Sequence, residues 1–247
     1  MRTSRLRYLL ASLTLASVAA HAAHADQMLT VNVPSGTEAF SFSDGTGSAG
    51  TNQFSALDGF HGYAGPLSSH FAGGKSFTTY CVDLFKEISS GSTYGVNPAD
   101  PATLAGHDMI GALLAHSPSR PTPAQGAALQ FAIWDAEYLG GHDVVQDGEG
   151  VRFGTAGSGF SVTGPGTDDG SFASLVNGDL LAASGRGVQG NTGPEIAFSY
   201  LDVSDGEHGQ SMVAAVPEPA TLTLAVIGLV GFVAVRCRRV RSGKPTR

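Results

Sequence analysis

The chain has 247 residues, with 14 Lys+Arg against 21 Asp+Glu, 34 glycines and two cysteines. Most basic residues sit at the two ends, so residues 26 to 215 keep five of them against 20 acidic residues, a net charge near −15. Such a surface repels phosphate backbones and anionic lipid, which excludes a nucleic-acid partner. Glycine at about twice the usual ~7% favours a loop-rich, mainly β domain over a helical bundle.

The first segment has the order of a secretory signal peptide, expected over residues 1–25. Arg2, Arg5 and Arg7 form a basic head, Tyr8 to Ala20 an apolar run, and Ala23-His24-Ala25 a small-residue cleavage site. The expected exported region then runs from residue 26 to residue 215, long enough for one domain with its own core.

Within it, Met28–Val33 and Glu38–Phe42 alternate apolar and polar residues and predict strands. Gly45 to Gly50 predicts a flexible loop. The run from Ser76 to Ile88 predicts a half-buried strand through Cys81 and Asp83. Asp100-Pro101 is a helix start, with Asp as N-cap and Pro in the first turn, and the helix is expected to continue to His116.

The strongest helix signal is Thr122-Pro123-Ala124-Gln125, a capping box with Pro at its first position. Leu129, Ile133 and Ala136 follow at helical spacing, and Gly140-Gly141 ends the element. Val151–Phe153 and Phe160–Thr163 predict short strands, Ser171–Ala183 a helix, and Glu195–Val203 and Gln210–Ala215 closing strands. His142 to Gly150 and Gly164 to Gly170 are expected as loops. The fold class is therefore mainly β with some helix (α+β): a β-sandwich or barrel-like domain with two or three helices.

The last segment, residues 216–247, opens on Val216 and Pro217-Glu218-Pro219. An uncharged apolar run follows over 220–235, and then a basic end with Arg236, Arg238, Arg239, Arg241, Lys244 and Arg247. Sixteen helical residues reach about 24 Å against ~30 Å of bilayer hydrocarbon, short but workable as a transmembrane segment. The positive-inside rule keeps the arginines cytoplasmic and the region before the anchor outside. This tail resembles the PEP-CTERM sorting signal of Gram-negative bacteria. The resemblance implies an exosortase-type processing enzyme as partner, transient residence in the inner membrane, and delivery to the cell surface or extracellular matrix.

That topology separates the cysteines. Cys237 lies in the basic end, so Cys81 is alone in the exported region and an intramolecular disulfide is not expected. A buried small hydrophobe is the bland reading of such a cysteine. The segments Tyr80-Cys81-Val82-Asp83 and Leu129-Gln130-Phe131-Ala132-Ile133-Trp134 offer a more specific one. Together they resemble the bacterial thioester domains, surface adhesion modules in which a cysteine thiol and a glutamine carboxamide form an internal thioester. Carried over, Cys81 supplies the sulfur and Gln130 the acyl carbon, with Tyr80, Phe131 and Trp134 as site walls. Leu129 departs from the family, where a small hydroxyl residue often precedes the glutamine.

The resemblance implies single-use covalent capture of an amine-bearing surface ligand or extracellular polymer, not turnover catalysis. Two alternatives stay open: a non-reactive structural protein associated with biofilm exopolysaccharide, and a secreted hydrolase. No residue signals a hydrolase nucleophile, since G-x-S-x-G, Walker A and dinucleotide-binding glycine patterns are absent where the chain would need them. No metal or other cofactor is expected. The histidines are scattered without zinc spacing, and Asp143, Asp147 and Glu149 beside His142 lack EF-hand order.

Overall fold

The computed structural model of the protein describes residues 27–35, 37–43, 53–155, 158–187, 198–203 and 211–215. The expected signal peptide, the loop Gly45–Gly50, the sorting motif Pro217-Glu218-Pro219 and the transmembrane segment 220–235 lie outside the described residues. Among the described residues no helix is long and apolar enough to cross a membrane.

Among the described residues, eleven strands form two sheets. β1 (Gln27–Asn32), β4 (Leu67–Phe71), β5 (Phe77–Cys81), β11 (Met212–Ala215), β10 (Phe198–Val203) and β6 (Thr93–Ala99) close a six-stranded barrel in that order. β3 (His61–Ala64), β2 (Glu38–Ser43), β9 (Phe160–Thr163), β8 (Gly150–Phe153) and β7 (Val145–Asp147) form the second sheet. All pairings are antiparallel, as expected for strands joined by short turns. Three α-helices complete the domain: α1 (His107–His116), α2 (Pro123–Tyr138) and α3 (Ser171–Gly187). The mainly β fold class read from the sequence is the one observed.

α2 is the organising element. Thr122 caps it as a full capping box: its hydroxyl accepts from the Gln125 N–H, and the Gln125 side chain accepts from the Thr122 N–H. Gly140 and Gly141, both at positive φ, carry the chain out of the helix. Every residue from Gly126 to Ala136 is buried, so this helix is covered on all sides rather than on one stripe. Phe131 projects from it into an aromatic cluster with Phe40, Phe153 and Phe172, at ring-centroid separations of 4.9, 5.3 and 5.4 Å. Separations of that size are typical of favourable aromatic pairs.

Three expectations are corrected. The strand predicted over Ser76–Ile88 stops at Cys81, because Asp83 turns the chain and its carboxylate accepts from the Phe85 N–H at 3.0 Å. The helix predicted from Asp100 to His116 is split. Asp100 caps only a 3-10 turn, Pro101–Thr103, and α1 begins at His107 after the chain passes Gly106. A Cβ at Gly106 would collide with the Ala136 carbonyl of α2, so the close approach to α2 fixes where the break falls. Finally, the loop predicted over His142–Gly150 contains β7, which pairs with β8 through Val145↔Arg152.

Candidate functional site

β5 runs between β4 and β11, but its neighbours do not extend equally far. On one side Cys81 pairs with Met212 of β11, and the next N–H, of Val82, donates to Ser211 O at 2.8 Å. On the other side the ladder with β4 ends at Leu67↔Thr79. The backbone N–H and C=O of Cys81 face that side and have no strand to pair with. Buried backbone groups require partners, and here a side chain supplies both. The Cys81 N–H donates to Gln130 Oε1 at 2.9 Å, and Gln130 Nε2 donates to the Cys81 carbonyl at 2.6 Å.

The approach of α2 makes this pairing possible. Gly126, one helical turn before Gln130, lies against Pro66 so closely that a Cβ would run into the proline ring. Glycine there lets α2 sit where β4 would have continued. The turn spacing then carries Gln130 to the same edge. The departure at Leu129 does not disturb this placement, since Leu129 is itself buried in the core.

Cys81 and Gln130 are both buried, at 7% and 1% exposure. Burial pushes the Cys81 thiol well above its ordinary range, and the nearby Asp83 carboxylate adds to the effect. The thiol is therefore neutral and is not an open thiolate. A cavity of about 220 Å³ reaches both residues. Trp134, one turn beyond Gln130 on α2, lines it together with Phe42, Phe60, His61 and Lys86. His61 Nδ1 is held by Ser41 Oγ at 2.8 Å. The indole N–H of Trp134 is buried and has no hydrogen-bond partner among the described residues.

Of the three expected walls, Trp134 alone lines this cavity. Tyr80 precedes Cys81 on the strand, so its side chain turns to the opposite face. Its hydroxyl reaches Ser117, close to Asp179. Phe131 follows Gln130 on the helix and points into the aromatic cluster instead. Phe42, Phe60, His61 and Lys86 had not been singled out in the sequence. They come from separate segments, and no local spacing joins them.

Asp83 anchors the loop after β5. It accepts from Tyr138 Oη at 3.4 Å as well as from Phe85 N, and it forms an ion pair with Lys86 at 3.5 Å. Among the described residues no group of three His, Cys, Asp or Glu side chains is arranged to hold a metal ion. The acidic loop is tied to its neighbours in another way, through an Arg152–Asp147 ion pair at 3.2 Å.

Comparison with known proteins adds one specific match. Residues 215–239 match the PEP-CTERM protein-sorting motif. The motif marks an exported, surface-sorted protein that passes through a membrane-anchored sorting step in Gram-negative bacteria. It implies recognition by an exosortase-type sorting enzyme. No curated protein matches the chain. Among solved structures, the N-terminal domain of the Streptococcus pyogenes pilus tip adhesin Cpa is similar at 17% identity and a TM-score of 0.40, over 76% of this chain and 96% of that one.

Proposed function

We propose that the exported domain is a covalent-capture module in which Cys81 and Gln130 condense to an internal thioester. The observation that carries the reading is the 2.9 Å hydrogen bond from the Cys81 N–H to Gln130 Oε1. It holds the carboxamide beside the thiol of the same residue and polarises its carbonyl. In the condensation, Cys81 Sγ adds to Gln130 Cδ, and the negative charge that develops on Oε1 meets the Cys81 N–H, as in an oxyanion hole. The C–N bond breaks and ammonia departs with the thiol proton. The product is one C–S bond and no net charge. Burial of both residues keeps water from the thioester once it has formed and so protects it from hydrolysis.

An incoming primary amine would then attack the same carbon through the cavity. A new amide forms at Gln130, the C–S bond breaks, and Cys81 recovers its thiol. The event occurs once per molecule. At the cell surface or in the extracellular matrix, the target would be an amine on a neighbouring cell, a host or a matrix polymer. Methylamine tests this reading: the purified domain should take up one methylamine at Gln130 and expose one thiol at Cys81. No uptake by a freshly prepared domain, or uptake that persists in Cys81→Ala, counts against it.

A second reading has one observation in its favour. The Gln130 carboxamide already satisfies both backbone groups of Cys81, so it serves as a structural bracket without any reaction. In that case the chain is a non-reactive component of extracellular polymer or biofilm.

A further inference from the structure

The exported region has two lysines, Lys75 and Lys86. Lys75 is exposed. Lys86 lines the same cavity as Cys81 and Gln130. The first primary amine available to an acyl group at Gln130 therefore belongs to the chain itself. Such an amine competes at a high effective concentration, because it need not diffuse to the site.

We propose that Lys86 is an internal acceptor that retires an unspent thioester by forming a Lys86–Gln130 amide. The inference rests on the thioester reading above. In the step, the free Lys86 amine attacks Gln130 Cδ, the C–S bond breaks, and the amine proton passes to the departing sulfur. Cys81 ends as a thiol, and the loop after β5 is joined to α2. The transfer is an isomerisation, so it leaves the mass of the thioester form unchanged.

Asp83 sets the pace. Its carboxylate is ion-paired with the Lys86 ammonium at 3.5 Å, and an ammonium has no lone pair to attack with. Asp83 is itself fixed by the Phe85 N–H and the Tyr138 hydroxyl, so the pair has a rigid anchor. The other ionisable side chains lining the cavity are His61, Tyr63, Cys81 and Glu87. Attack requires the pair to open and the proton to leave. The transfer is then slow beside capture of an abundant external amine, and it quickens as the pH rises.

The test ages the purified exported domain and the K86R variant at about pH 7 and at about pH 9, where a larger share of lysine amine is deprotonated. Two readouts are followed: methylamine uptake, and a peptide map for a joined Lys86–Gln130 peptide. Arginine keeps the positive charge opposite Asp83 but does not acylate under these conditions. The expected result is a joined peptide that accumulates faster at the higher pH as methylamine uptake falls, with no joined peptide in K86R. A domain that forms the thioester but loses uptake only by adding water, with no joined peptide, overturns the role of Lys86. A domain that never loses ammonia overturns the thioester reading itself, and this inference with it.

Discussion

The Gln130 carboxamide pairs with both backbone groups of Cys81, accepting at 2.9 Å and donating at 2.6 Å, and so takes the place of a strand where β4 has ended. Two residues 49 positions apart are thereby brought together by the edge of a barrel and one buried helix. Stability and the proposed chemistry depend on the same contact.

Replacing Gln130 with Leu leaves the Cys81 N–H and C=O buried without partners. Each such group costs about 1–3 kcal/mol, so the variant is expected to lose roughly 2–6 kcal/mol. Urea denaturation measures the change as a lower midpoint with an unchanged slope.

Gly126→Ala tests how α2 is seated. Its methyl group meets the Pro66 ring, and either the helix or the Gly65–Pro66 turn must shift. Overpacking of this kind costs about 1–3 kcal/mol. The same shift moves Gln130 away from Cys81, so slower ammonia loss should accompany the lower melting temperature. A destabilised variant that forms the bond at the normal rate would separate seating from chemistry.

The capping box has a smaller and purely structural effect. Thr122→Ala removes the hydroxyl that accepts from the Gln125 N–H. The expected loss is about 1 kcal/mol. Gln130 lies two turns along the helix, so methylamine uptake by the folded variant should not change. Thermal unfolding and uptake, measured on one sample, check both statements.

Asp135 makes stability depend on pH. It is fully buried, and neither carboxylate oxygen has a hydrogen-bond partner among the described residues. Burial raises its pKa from 3.8 to about 7; the His142 backbone N–H offsets part of the rise, while Asp143 adds to it. The offset from His142 is an electrostatic influence rather than a well-formed hydrogen bond. The folded state therefore keeps a proton that the unfolded chain releases. Stability falls as the pH rises from about 4 to about 7 and levels off above that. Asp135→Asn should remove this dependence, as read from denaturation midpoints across the same range.

Much of the fold was legible where local chemistry decides it. The capping box at Thr122 and Gln125 marked the start of α2, and alternation marked β1, β2, β8 and β9. β3, β4 and β6 carry no comparable signal. His61–Ala64, Leu67–Phe71 and Thr93–Ala99 carry many polar or small residues, and their strand character comes from their neighbours in the sheet. The alternation of Tyr80, Val82 and Leu84 continues past the end of β5, because Asp83 turns the chain. At the candidate site, Cys81 stands out as the one cysteine of the exported region, and Gln130 through the resemblance of its segment to thioester domains. The strand-like pairing between them does not, because it depends on where β4 stops. The resemblance to thioester domains implies Tyr80 and Phe131 as walls, but a strand and a helix turn consecutive side chains in different directions, and neither lines the cavity.

The central claim is a covalent bond between Cys81 and Gln130, and the intact mass of the purified exported domain tests it most directly. The account predicts a mass one ammonia below that of the encoded chain, with the deficit abolished in Cys81→Ala. A domain of full mass, with Cys81 titrating as a free thiol once unfolded, would contradict it.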